Sequence, residues 1–208
     1  MGIPVLIIGK SGAGKSTSMR NCIDNPNFGL IKVLNKPLPF RGKMASVYTD
    51  DYDKIMALLA KSKAQSMIID DAGYLITNFF MRNHSSCGGG NAVFGLYNKL
   101  GDSFWNLVQF IIDKLPANKI VYIIMHEETN DFGEIKPKTI GKLLDEKICL
   151  EGMFTIVLRC TIENGEHKFV TQCNDGAVSK SPIEMFDDLT INNDLLLVDT
   201  AIRTYYEI

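Results

Sequence analysis

The sequence predicts an α/β fold: a mostly parallel central sheet flanked by helices, with a C-terminal antiparallel hairpin. Three observations carry this. The apolar runs Ile3–Ile8, Ser66–Ile69 and Lys119–Met125 have the near-continuous hydrophobicity of strands buried on both faces. Segments of helical periodicity lie between them, the arrangement that parallel crossovers need. Near the end, Phe154–Cys160 and His167–Cys173 flank Glu163-Asn-Gly-Glu166, and an Asn-Gly pair favours a tight hairpin turn. At 208 residues and 46% hydrophobic composition, with no linker or repeat, the chain reads as one domain, 1–208.

Taking the elements in order, the first run passes directly into Gly9-Lys10-Ser11-Gly12-Ala13-Gly14-Lys15-Ser16-Thr17, a complete G-x-x-x-x-G-K-[ST] pattern between a strand and a helix-compatible stretch reaching about Ile23. Glycines let backbone N–H groups wrap a polyphosphate without a Cβ in the way, and the following helix turns its positive end toward it. Lys15 supplies a mobile positive charge to the β/γ-phosphates, and Ser16 a hydroxyl to a bridging Mg²⁺. The expected ligand is therefore a nucleoside triphosphate with magnesium. Asn25-Pro-Asn-Phe-Gly stops the helix. Ile31–Leu34 then reads as a short strand, Lys36-Pro-Leu-Pro39 as extended chain, and Ala45–Tyr48 as another short extended piece. From Asp50 or Asp51 as cap, Ile55, Leu58 and Leu59 mark a helix running to Lys63.

The second strand ends in Asp70-Asp71. Carboxylates at the carboxyl end of a buried parallel strand open on a ligand site, so Asp70 is the expected magnesium holder and Asp71 a candidate for polarising the attacking water. Thr77–Asn91, with its glycines and small polar residues, reads as a mobile loop suited to a partner or polymer. The next helix carries the stripe Tyr97, Leu100, Phe104, Leu107, Val108, Ile111 and Leu115, closed by Pro116, with Trp105 off the stripe. Asn98-Lys99 begins the guanine-reading N-K-x-D pattern, but Gly101 takes the fourth position, leaving GTP specificity unsupported. The third strand ends in His126-Glu127-Glu128, and His126 would sense the γ-phosphate if this strand neighbours the first. Thr129–Lys142 reads as a polar segment whose Lys136, Lys138 and Lys142 could reach a neighbouring subunit's phosphates or a single-stranded backbone. Asn193 or Asp194 caps a last helix with Leu195, Val198, Ile202 and Tyr205 on one face.

Taken together, the phosphate loop, Ile-Ile-Asp70-Asp71, the strand ending in His126, Lys138-Thr-Ile-Gly-Lys142, Phe154–Leu158 and the ending Asn193-Asp-Leu…Ala201-Ile-Arg-Thr-Tyr-Tyr206 resemble the small bacteriophage RecA-like ATPases. These include the Sak-type single-strand annealing proteins. The resemblance implies a RecA-like P-loop core, ATP and Mg²⁺ as cofactors, and a role in phage DNA recombination, annealing, repair or replication on single-stranded DNA. It also implies a homo-oligomer in the host-cell cytoplasm, with a single-strand binding protein or other recombination protein as possible partner. Carried across, Lys15 and Ser16 match the nucleotide-binding pair, Asp70 the magnesium aspartate and His126 the γ-phosphate sensor. Lys136 and Lys138 match the spacing of lysines that such filaments insert into a neighbour's site, although Pro137 separates them here. The glutamate that activates water in RecA has no counterpart, so Asp50, Asp51, Asp71 or Glu127 would have to serve.

The formal net charge of −2 supplies no global attraction to nucleic acid, so a DNA contact requires a local basic patch. Five dispersed cysteines without a C-x-x-C pair fit reduced thiols, and His84 with Cys87 is a poor zinc signature without a second pair. No leader or membrane span is evident, which predicts a soluble intracellular protein. Two other functions fit a phosphate loop. One is a nucleotide-switched adaptor, such as a helicase loader or packaging accessory, with little turnover. The other is a small-molecule kinase, disfavoured because Arg20, Arg41, Arg82, Arg159 and Arg203 are too dispersed to clamp a transferring phosphoryl group.

Overall fold

The structure is a computed structural model that describes residues 1–86, 88, 91–131, 133–140, 148–173 and 176–208. In chain order its strands are β1 (Ile3–Gly9), β2 (Phe28–Lys32), β3 (Ser46–Tyr48), β4 (Ser66–Asp70), β5 (Ile120–Ile124), β6 (Glu127–Thr129), β7 (Ile135–Pro137), β8 (Ile156–Glu163), β9 (Glu166–Val170) and β10 (Thr190–Asn192). The helices are α1 (Tyr52–Lys61), α2 (Gly73–Asn83), α3 (Asn91–Lys114) and α4 (Leu195–Tyr206). Eight strands form one sheet in the order β10-β9-β8-β1-β5-β4-β2-β3, and β6 and β7 form a separate antiparallel pair. From β8 to β3 every pairing in the sheet is parallel, whereas β8, β9 and β10 pair antiparallel. The predicted hairpin turns at Asn164 and Gly165, both with positive φ (51° and 81°), the backbone that an Asn-Gly pair adopts at low cost.

Alternation along β1 sends Leu6 and Ile8 to one face and Val5 and Ile7 to the other. The first face is covered by α1, α2 and α3, whose Ile55, Leu75 and Phe104 are fully buried. The second is covered by α4 and by a short 3₁₀ helix, Ser16–Cys22, which contributes Met19 and Cys22. Because both faces are covered, the central strands have the apolar runs that announced them.

α4 is tied to the sheet by polar groups as well. Asp199 accepts hydrogen bonds from the hydroxyls of Ser66 and Tyr122 (2.8 Å to the latter) and from Arg203 Nε at 2.8 Å. Its cap grips the 3₁₀ helix: Asn21 Nδ2 donates to Asp194 Oδ2 at 2.6 Å, and Arg20 donates to the Asn193 carbonyl.

Several expectations need correction. Thr77–Asn83 is not a loop but the second half of α2, because Leu75, Ile76, Phe79 and Phe80 recur at helical spacing and pack on the core. The remainder of that stretch begins with a 3₁₀ turn, His84–Ser86, while Cys87, Gly89 and Gly90 lie outside the described residues. The polar segment after His126 holds the β6–β7 pair, so Lys136 sits on a strand. β2 begins at Phe28, inside the supposed turn, because a bare Gly29 admits the Met67 side chain of β4 against it. The phosphate-loop helix is a single 3₁₀ segment. Its Ser-Thr-Ser start has weak helix propensity, and Ser18 Oγ bonds the Lys15 carbonyl at 2.6 Å. On α4, Tyr205 is exposed and Leu195, Val198 and Ile202 are buried. Among the described residues, no helix is long and apolar enough to cross a membrane.

Candidate functional site

β1, β5 and β4 are neighbours whose carboxyl ends bear, respectively, the Gly9–Thr17 loop, His126-Glu127 and Asp70-Asp71. The strand carrying Asp70 does not neighbour the loop strand, because β5 lies between them. That insertion puts His126 beside the loop. Backbone bonds extend past the strand ends, from Met125 N to Ile7 O at 2.9 Å and from Ala72 N to Ile124 O at 2.8 Å, and these fix the three tips relative to one another.

Lys15 is buried, and its ammonium donates to the carbonyls of Gly9 and Lys10, both at 2.8 Å, and faces His126 Nδ1 at 3.5 Å. Burial lowers its pKa. His126 is likewise held below its ordinary value, first by burial and then by the Lys15 charge, so at neutral pH a neutral ring faces the ammonium. Ser16 Oγ donates to Asp70 Oδ1 at 2.9 Å. Burial, followed by the neighbouring Asp71 carboxylate, pushes the Asp70 pKa up to about 6. A carboxylate raised in this way gains most from a nearby cation.

The loop, Lys36, Pro37, Pro39, Asp71 and His126 enclose a cavity of about 280 Å³. A second cavity of about 420 Å³ shares Ser11, Lys36 and His126 with it and continues past Tyr74, Glu127 and Lys138. Thr17 lines the first cavity, and the space where Gly12 would carry a Cβ is open. These residues fit a magnesium-bound triphosphate: a bare loop backbone, a cation at its centre, and a hydroxyl–carboxylate pair 2.9 Å apart at its edge.

The other expected residues are placed as follows. Glu127 is buried and held by Arg159 through bonds of 2.8 and 3.0 Å. Asp71 pairs with Lys36 Nζ at 2.5 Å. Asp50 pairs with Arg82 and accepts from Asn78 at 2.7 Å, and Asp51 caps α1 by accepting from Lys54 N at 3.1 Å. Lys138 lines the second cavity, whereas Lys136 stands opposite Glu128 at 4.0 Å. Lys142 lies outside the described residues.

Two neighbours of the loop were not read from the sequence. Lys36 reaches it from a proline-rich stretch that showed only extended chain. His167 on β9 holds Ala13 O at 3.0 Å, and no local pattern signals a contact across 154 positions. A Cβ on Gly14 (φ 103°) would stand 2.8 Å from the His167 ring. Gly14→Ala is therefore expected to destabilise the protein by about 1–3 kcal/mol in denaturant melts. Adding His167→Ala should recover only the steric part.

A profile of the family described as AAA domain, AAA_24, matches residues 1–183. Comparison with curated proteins finds no match.

Proposed function

The chain belongs to this AAA-domain family of P-loop NTPases, and on that premise we propose that it is a RecA-like ATPase of bacteriophage origin that acts on single-stranded DNA in recombination, annealing, repair or replication. The observation that carries the nucleotide part is that Lys15 and Ser16 line one cavity and that Ser16 Oγ donates to the buried Asp70 at 2.9 Å. Lys15 would bind the β/γ-phosphates; Ser16 and Asp70 would hold magnesium, Asp70 through the ion's water shell. When bound there, the ion would supply positive charge to the phosphate oxygens. His126 reads the terminal phosphate from the tip of β5, and its neutral ring can donate or accept one hydrogen bond. Lys138, lining the trough beside the loop, and Lys136 on β7 supply the local basic patch that the net charge does not. A homo-oligomer would bring them to a neighbour's phosphates. The reading places the protein in the host cytoplasm, working beside a single-strand binding protein or another recombination protein.

One observation favours the adaptor alternative. Asp50, Asp71 and Glu127 are all engaged by cationic side chains, so none stands ready to activate water without rearrangement. A kinase is less well supported, because Arg20, Arg82, Arg159 and Arg203 all have partners in the fold.

The test is ATP turnover with and without single-stranded DNA, together with mass in solution with and without nucleotide. The proposal expects DNA to raise turnover and that rise to fade steeply with salt, because backbone phosphate contacts release counterions. A rate indifferent to DNA length and salt would remove the DNA role. Tight ATP binding with negligible turnover would select the adaptor.

A further inference from the structure

Lys36 stands on a strap, Leu34–Phe40, that passes over the phosphate loop. Pro37 and Pro39 restrict its backbone, and Leu38 and Phe40 pack against the second core face. The lysine therefore projects from an anchored segment. Its side chain is half exposed (49%) and reaches Asp71, whose carboxylate is 5% exposed and lies at the tip of β4. The pair is lopsided: the carboxylate is fixed in the wall, while the ammonium arrives from the solvent side. Lys36 also borders both cavities, so it faces the same space as Lys15, Ser16 and His126.

We propose that Lys36 is a second phosphate-binding cation, supplied in cis by this strap, which leaves Asp71 for the terminal phosphate of a bound nucleoside triphosphate; the inference rests on the nucleotide reading above. Solvent reaches the pair on its lysine side only, so the ammonium can leave into water while the buried carboxylate stays in place. A terminal phosphate offers more negative charge and three acceptor oxygens to the same ammonium. The exchange moves one cation and breaks no covalent bond. It also frees the Asp71 carboxylate, at the cavity wall, to accept a hydrogen bond from water. A diphosphate, ending short of Lys36, would leave the Lys36–Asp71 pair intact, so the strap distinguishes triphosphate from diphosphate.

Calorimetric titration of the whole chain with a non-hydrolysable ATP analogue and with ADP, both with magnesium, tests this. Lys36→Met, which keeps the apolar stem, is expected to lower analogue affinity about ten- to a hundredfold while ADP affinity stays within about twofold. Lys36→Arg should retain most of the preference. Thermal melts coinciding with the wild type establish that the variants are folded. An unchanged analogue-to-ADP ratio in Lys36→Met, or equal losses for both ligands, overturns the role of Lys36 while leaving the nucleotide site standing. Failure of the unsubstituted protein to bind either nucleotide overturns the nucleotide reading itself.

Discussion

Replacing Lys15 by alanine is expected to lower ATP affinity by at least about a hundredfold in calorimetric titration, because charge-assisted bonds to the phosphates are lost where water is largely excluded. The change has a second cost. A loop lysine is ordinarily a surface group, but here the ammonium is buried and holds the Gly9 and Lys10 carbonyls at 2.8 Å. Those bonds brace the loop, so Lys15→Ala should also reduce unfolding free energy by about 1–3 kcal/mol in urea. Unaltered ATP binding in a folded variant would take Lys15 out of the site.

The second large effect concerns magnesium. In Asp70→Asn the concentration of Mg²⁺ needed for half-maximal nucleotide binding should rise about 10–100-fold, the usual consequence of losing a group that orients a metal's shell. Stability should not suffer. The amide oxygen can still accept from Ser16 Oγ, and a carboxylate whose pKa burial and Asp71 push up to about 6 no longer has to be kept charged. Melting at or above the wild-type temperature, together with a magnesium titration shifted to higher concentration, is the expected pair of results. An unchanged magnesium titration would separate Asp70 from the metal.

The parts of the fold that could be read from residues are those where one physical demand dominates. β1, β4 and β5 must be apolar throughout because both sheet faces are covered, and the Asn164-Gly165 turn needs positive φ twice. β10 was missed because Thr190–Asn192 is short and only partly buried, so no pattern marks it. α2 was obscured by the glycines downstream, although its own apolar spacing was present. Within the site, the loop and Asp70 announce themselves by residue type at fixed spacing, and the structure joins them through the Ser16–Asp70 hydrogen bond. Lys36 and His167 do not. Each comes from an element whose local sequence looks ordinary, and only the sheet order and the path of the strap bring it to the loop.

Residues 1–183 contain every strand but β10, yet the cap of α4 that grips the phosphate-loop helix lies beyond them. The mechanical unit is thus larger than the shared sequence pattern. Arg20 and Asn21 link the 3₁₀ helix after the phosphate loop to the cap of α4, and Asp199 and Arg203 link α4 to Ser66 of β4 and Tyr122 of β5. A displacement of that helix would therefore pull first on Arg20 and Asn21, in the segment that directly follows the phosphate loop.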